Sequence, residues 1–147
     1  MKGNGFTLVE LMVVIAVMAL IAGAAVLTIA SPGDGPKDSA TRFATRLAAA
    51  RDEAVLRARP VSAWVTASGY GFEQYAGGQW QPITAKPFAG ANWPEGTRVS
   101  LDDSSSARAR VRFDSLGLPE SPARFSLAAD GRTVAIAVAA NGDVRVE

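Results

Sequence analysis

The chain has 147 residues with fifteen basic and fourteen acidic side chains, so its formal net charge is +1 at pH 7. It contains neither cysteine nor histidine, which excludes disulfides, zinc-thiolate sites and thiol nucleophiles and removes the commonest general base and metal ligand. The balanced charge gives no overall attraction to nucleic acid or anionic lipid. We therefore predict a protein that is not an enzyme, with no catalytic residue, cofactor or metal site.

The first predicted element is an apolar helix. Residues 11–30 carry no charge, and a helix of this length extends about 30 Å, the thickness of the hydrocarbon core of a bilayer. Glu10 stands at the edge of this run, where an ionised carboxylate is unfavourable unless a cation meets it. Lys2 is the only basic residue before the run, which favours a cytoplasmic N-terminus and a C-terminal part across the membrane.

The N-terminal motif is the sequence GFTLVE at residues 5–10. It resembles the class III signal of type IV pilins and of the pseudopilins of type II secretion. The resemblance implies that a prepilin peptidase cleaves between Gly5 and Phe6, removes a leader of residues 1–5 and methylates the new amino terminus of Phe6. It also implies that Glu10 meets the terminal amine of a neighbouring subunit during assembly, in a helix that covers residues 6–30.

An ordinary secretory signal peptide or a plain membrane anchor is the alternative for this segment. Ala22, Gly23 and Ala24 have the small-x-small form that precedes a signal cleavage site. Against this alternative, the segment before the apolar run has a single basic residue, Glu10 intrudes, and the run is longer than the usual apolar region of a signal peptide.

A linker and a second helix follow the apolar run. Residues 31–36 include two prolines and two glycines, which should interrupt any helix, and the predicted linker covers residues 31–37. An amphipathic helix is predicted from residue 40 to about residue 59, with Asp38 or Ser39 as its N-cap and Pro60 as its stop. Glu53 and Arg57 are spaced to form an ion pair on its solvent side. The apolar stripe of this helix consists of Phe43, Ala44, Leu47, Ala48, Ala54 and Val55.

Beyond residue 60 the hydrophobic period changes from helical to alternating, which predicts strands. Residues 61–66, 70–75 and 79–83 indicate an antiparallel meander. Further strands are predicted at residues 98–101, 107–113, 124–128, 133–138 and 144–146, the last two joined by a turn at Asn141 and Gly142. The predicted fold class is therefore α+β: an N-terminal transmembrane helix, followed by a head of residues 38–147 in which the second helix packs on an antiparallel sheet.

Two later stretches of the sequence resemble a smaller group within the pilins and pseudopilins. Residues 47–61 (LAAARDEAVLRARPV) and residues 113–117 (FDSLG) with the terminal hairpin resemble the H-type minor pseudopilins and the related FimT and FimU minor pilins, which share the type IV pilin-like fold. The resemblance implies a low-abundance subunit at or near the tip of a pseudopilus that exports proteins across the outer membrane. The alternative is a FimT- or FimU-like minor type IV pilin that serves pilus priming, adhesion or DNA uptake.

The same resemblance implies partners and a location. The partners would be other minor pseudopilins, the major pseudopilin, the prepilin peptidase and an ATP-driven assembly machine in the inner membrane. The subunit would cross the inner membrane once, with its N-terminus in the cytoplasm and its head in the periplasm, until it joins a periplasmic pseudopilus.

Two other groups of residues could bind ligands. Arg108, Arg110 and Arg112 alternate with apolar residues, so a strand would place three guanidinium groups on one face, where they could contact nucleic acid together with Arg132. The near-zero net charge favours a solvated or ion-paired face instead. Oxygen ligands for calcium occur at residues 102–106, but the adjacent acids Asp102 and Asp103 would point to opposite faces of a strand, which favours a loop. No motif supports a membrane-anchored hydrolase.

Overall fold

The computed structural model describes residues 8–26, 35–101 and 107–147. These residues form two helices, α1 (Leu8–Val26) and α2 (Pro36–Arg57), and nine strands. They fall into two compact units, one containing α1 and the other beginning ahead of α2. The strands are β1 (Val61–Thr66), β2 (Gly69–Ala76), β3 (Gln79–Pro82), β4 (Ala91–Asn92), β5 (Arg98–Leu101), β6 (Arg108–Phe113), β7 (Ala123–Ala129), β8 (Arg132–Val138) and β9 (Val144–Val146).

Helix α1 is an apolar helix of 19 residues with Glu10 in its first turn. Within the described part of the chain, no helix has the combination of length and apolarity that a membrane span requires. The predicted membrane segment, residues 6–30, also includes residues 6, 7 and 27–30, which lie outside the described residues.

Helix α2 begins earlier than the sequence predicts. It starts at Pro36, inside the predicted linker, and Gly35 is its N-cap without a side-chain cap hydrogen bond. The prediction of Asp38 or Ser39 as the N-cap is therefore wrong, because both lie within the helix. Proline is compatible with the first turn, where its missing N–H would have no intrahelical acceptor. The Asp38 carboxylate stabilises the same turn through the helix dipole. The other predicted linker residues, 31–34, lie outside the described residues.

The C-terminal end of α2 is closed by a residue in the left-handed conformation. The helix ends at Arg57, and Ala58 follows with φ 49°. The N–H groups of Ala58 and Arg59 donate to the carbonyls of Val55 and Ala54 at 3.2 and 3.1 Å, so the last turn of the helix is capped by the backbone itself. The predicted ion pair between Glu53 and Arg57 is confirmed.

The apolar face of α2 matches the predicted stripe in part. Val55 is 48% exposed and Ala48 is half-buried, so the prediction is wrong at Val55. The buried residues recur at three- and four-residue intervals, and Val55 lies about 100° round the helix from Ala54, which is fully buried. The face that packs inward consists of Ala40, Phe43, Ala44, Leu47, Ala50 and Ala54.

The nine strands form two antiparallel sheets. Sheet A has the strand order β3-β2-β1-β6, with β4 also paired to β2, and sheet B has the order β5-β7-β8-β9. Helix α2 lies against β1 and β6 of sheet A and against β7, β8 and β9 of sheet B. The predicted strands, the β1–β2–β3 meander and the turn before β9 are confirmed. Strand β4 and the division into two sheets are findings that the sequence pattern did not indicate.

Phe43 lies at the centre of the core. Its ring centroid is 4.6 Å from that of Tyr70 in β2, 5.6 Å from that of Trp93 and 6.1 Å from that of Phe125 in β7. Phe43 is fully buried, and the Trp93 indole N–H donates to the Thr66 carbonyl at 3.0 Å. One side chain of α2 therefore contacts both sheets.

Two glycine turns meet beside α2. Gly117 follows β6 and Gly142 precedes β9, and both have positive φ, 79° and 82°. A Cβ at Gly142 would lie 2.4 Å from the Gly117 carbonyl oxygen, while Arg51 donates to the Gly142 carbonyl at 3.1 Å. The close approach of the two turns requires the absence of a side chain at residue 142.

Gly142→Ala is expected to destabilise the fold by about 2–4 kcal/mol, because a left-handed backbone conformation costs an L-residue about 1–2 kcal/mol and the clash adds an overpacking term. Gly131→Ala is the matched control, since Gly131 also has positive φ (72°) but no heavy atom within 4 Å of the added Cβ. Urea unfolding of both variants measures the difference. Equal losses of stability would show that the contact between the two turns is unimportant.

Candidate interaction surfaces

The N-terminal unit presents an apolar surface. Gly5 and Phe6, the predicted cleavage residues, lie outside the described residues, and Glu10 is exposed in the first turn of α1. Apolar side chains surround Glu10, and in a single chain they are exposed. Such a surface needs an apolar environment, either lipid or the apolar surface of another protein. The exposed apolar residues of α1 are Leu8, Val9, Leu11, Met12, Val13, Val14, Ile15, Val17 and Met18.

The second surface is the outer face of sheet A. Arg108, Arg110 and Arg112, here called the arginine row, point to this face, while Val111 and Phe113 of the same strand are buried. The predicted alternation along β6 is therefore confirmed. In the antiparallel pairing with β1, the row lies opposite Thr66, Trp64 and Ser62, so these residues share the outer face.

Trp64 provides a flat aromatic surface beside the row. Its ring covers Gly71 of β2, where an added Cβ would lie 2.5 Å from the Trp64 Cζ2 atom. The Arg108 Cζ atom lies 4.5 Å from the Trp64 ring centroid, a cation–π contact. Glycine at residue 71 thus allows the indole to lie against the sheet, and the indole holds the Arg108 guanidinium above the sheet.

Arg112 has more partners than the other members of the row. Its Cζ atom lies 5.8 Å from the Trp80 ring centroid, and its Nη1 donates to Glu120 Oε2 at 3.1 Å. Its Nε is buried without a hydrogen-bond acceptor. Trp80 also contacts Tyr75, at 5.4 Å between ring centroids. Arg112 is therefore fixed by an aromatic ring and a carboxylate.

Arg110 has the fewest contacts of the three. It is exposed, and neither an ion pair nor a cation–π contact joins it to another described residue. Its position between two restrained arginines leaves its charge available to a ligand.

Arg132 lies apart from the arginine row. It is the first residue of β8 in sheet B, and with Arg98 it lines a separate cavity of about 270 Å³. The structure therefore does not bring Arg132 into the cavity beside the row. Asp102 and Asp103 lie outside the described residues.

The sequence pattern missed the residues that surround the row. Trp64 and Trp80 become its neighbours only through the pairing of strands, and Glu120 through the turn that follows β6. Arg124 lies across a cavity of about 390 Å³ from β6. Alternation along β1 places Trp64 on the face of Ser62. Only the pairing of β1 with β6, which are far apart in sequence, places that face beside the arginines.

Two protein families match this chain. The family described as "Type II transport protein GspH" matches residues 39–142, and the "Prokaryotic N-terminal methylation motif" matches residues 1–26. The pilin-like protein PilA1 of Thermus thermophilus is similar over its whole length and that of this chain, with 32% identity. The match to the methylation motif covers Gly5, Phe6 and Glu10.

Solved structures share the fold. The minor pseudopilin EpsH from the type 2 secretion system of Vibrio cholerae superposes with a TM-score of 0.64 at 21% identity, covering 76% of this chain and 95% of EpsH. The type IV minor pilin FimU of Pseudomonas aeruginosa gives a TM-score of 0.59 at 18% identity, covering 76% of this chain and 87% of FimU. The predicted α+β, pilin-like fold is thereby confirmed.

Proposed function

The chain belongs to the GspH family of type II transport proteins, and from this membership we propose that it is a minor pseudopilin at or near the tip of a type II secretion pseudopilus. The family is one of structural pilin-like subunits rather than of enzymes. In this role the subunit supports the export of proteins across the outer membrane. The match of the GspH family to residues 39–142 is the observation that carries the proposal.

Processing precedes assembly in this proposal. The prepilin peptidase cleaves between Gly5 and Phe6 and methylates the Phe6 amine, so that Glu10 becomes the fifth residue of the mature chain. The subunit is held in the inner membrane by residues 6–30, with its head in the periplasm. It then joins other minor pseudopilins and the major pseudopilin.

The exposed apolar surface of α1 supports this route. Nine large apolar side chains of residues 8–18 are exposed in the single chain, and burial of each is favourable by about 1.5–3 kcal/mol. Lipid and a bundle of pilin helices are both apolar, so transfer between them has little net hydrophobic driving force. Direction therefore comes from the assembly machine, and specificity comes from polar contacts such as Glu10 with a terminal amine.

Deletion of the gene tests the secretion role. In the native organism, the deletion should retain exported proteins in the periplasm while surface pili remain, and the unchanged gene should restore export. Immunoblots of culture supernatant and periplasm, with electron microscopy of pili, give both results. Normal export with loss of pili would overturn the proposal.

A FimU-like minor type IV pilin is the second candidate. The arginine row beside Trp64 and Trp80 favours it, because guanidinium groups and aromatic rings are suited to nucleic acid, which pilus-dependent DNA uptake would bring to this face. Replacing Arg108, Arg110 and Arg112 by alanine would then abolish salt-dependent DNA binding. Unchanged binding by the triple variant would remove this support.

A further inference from the structure

Strand β6 is an edge strand of sheet A, and on the side away from β1 only its C-terminal end has a partner among the described residues, through the bridge between Phe113 and Pro119. It pairs with β1 on one side, without a bulge from Val61↔Phe113 to Thr66↔Arg108. On its other side lies a cleft of about 390 Å³, here called the β6 cleft, bounded by β6 and by residues 120–125. Strand β7, which begins in that segment, is paired with β8 along its whole length and with β5 from Phe125 to Ala128.

The backbone of β6 presents hydrogen-bonding groups to the cleft. The Arg112 carbonyl accepts from the Glu120 N–H at 2.9 Å, so the backbone groups of Arg112 point away from β1. Because this direction alternates along a strand, the N–H and C=O groups of Arg110 and Arg108 point the same way. Among hydrogen bonds between described residues outside the strand pairings, none involves these groups of Arg108 or Arg110.

The charge around the cleft is positive. Arg108, Arg110, Arg112 and Arg124 line it together with one carboxylate, Glu120. Arg112 pairs with Glu120, and Arg124 pairs with Glu147 at 2.7 Å. Arg108 and Arg110 form no ion pair with a described carboxylate, so the described lining of the cleft has a net positive charge.

We propose that the β6 edge binds an extended, acidic segment of a partner protein as an additional strand of sheet A. Backbone groups of Arg108 and Arg110 would pair with the segment, as in other recognition by strand addition. Its outward side chains would be acidic and face the arginine row. Its inward side chains would be small and apolar, because Ala109 and Phe125 line that side of the cleft.

The same features argue against a second copy of this chain. Two β6 strands paired edge to edge would place arginines near arginines, and like charges across a strand pair are destabilising. An acidic segment is attracted by the same charges. The arginine row therefore selects against self-association and in favour of an acidic partner.

Binding of a capped five-residue peptide that alternates glutamate and valine tests the proposal, with the lysine–valine peptide as the charge-reversed control. The full-length chain in nonionic detergent, labelled with ¹⁵N-arginine, allows the Arg110 amide to be followed. We expect saturable binding of the acidic peptide and slower hydrogen exchange of the Arg110 amide when the peptide is bound. Equal binding of both peptides, or no change in Arg110 exchange, would overturn the proposal.

Two variants at residue 110 separate the contribution of the side-chain charge to peptide binding from that of the backbone N–H. Arg110→Ala removes the charge and keeps the N–H, and should weaken peptide binding about two- to fivefold, as expected for an exposed ion pair. Arg110→Pro also removes the N–H, which faces away from β1 and is compatible with proline at a sheet edge. It should weaken binding a further three- to tenfold by loss of a hydrogen bond.

Circular dichroism of both variants checks that they fold. Equal affinities of Arg110→Pro and Arg110→Ala for the peptide would contradict strand addition. If the proline variant does not fold, the hydrogen exchange of the Arg110 amide in the unmodified chain tests strand addition instead. Displacement of the acidic peptide by a single-stranded oligonucleotide at lower concentration would instead indicate that the cleft is a nucleic-acid site.

Discussion

Glu10→Ala is expected to reduce incorporation into filaments at least about tenfold while leaving cleavage after Gly5 intact. In the proposed assembly, Glu10 neutralises the methylated terminus of a neighbouring subunit in the apolar filament core. Removing one partner of a buried charge pair costs roughly 3–5 kcal/mol, because the remaining charge is left unpaired in a low dielectric. Immunoblots of sheared filaments, with mass spectrometry of the membrane fraction, measure incorporation and processing separately.

Glu53→Ala is the matched control for this substitution. Glu53 also carries one negative charge on a helix, but it pairs with Arg57 on the surface of the head, where an ion pair contributes at most about 1 kcal/mol. This control variant should be processed and incorporated normally. Incorporation of Glu10→Ala at the level of the unmodified chain would contradict the role given to Glu10.

Phe43→Ala is expected to destabilise the head by about 3–5 kcal/mol, the range for removal of a fully buried phenylalanine. Phe43 contacts Tyr70 in sheet A and Phe125 in sheet B, so its removal leaves a cavity between α2 and both sheets. Such a loss approaches the whole stability of many domains of this size. Thermal unfolding, followed by near-ultraviolet circular dichroism of the aromatic cluster, measures the effect.

Leu56→Ala is the control on the same helix. Leu56 is 81% exposed, so its truncation should change stability by less than about 0.5 kcal/mol. A loss at Phe43 as small as that at Leu56 would mean that α2 is not held by this aromatic cluster.

The second helix and most strands of the head could be predicted because the apolar spacing that identifies each of them lies within a short stretch of sequence. Alternation set the bounds of β5 and β9, and the spacing of Phe43, Leu47 and Ala54 identified the inward face of α2. The start of α2 was mispredicted, since Pro36 was taken as a helix breaker although proline is compatible with the first turn. Strand β4 has only two residues, too few for any period to be visible.

The arrangement of the candidate surfaces could be predicted only in part. The motif at residues 5–10 is contiguous, so it is visible in the sequence. The arginine row is visible as an alternation along β6, but its neighbours come from strands that are distant in sequence. The pairing of β1 with β6 closes a connection of more than forty residues, and no short-range pattern encodes such a pairing. The β6 cleft, which depends on two sheets, was therefore found only in the structure.

The most direct test of the proposed processing and assembly is the intact mass and N-terminal sequence of the protein purified from its native membrane. We predict a chain that begins at Phe6 with an N-methylated amine. A chain that begins at Met1 or Ala25 would contradict this prediction, because Glu10 would be the tenth residue of the first product and would be absent from the second.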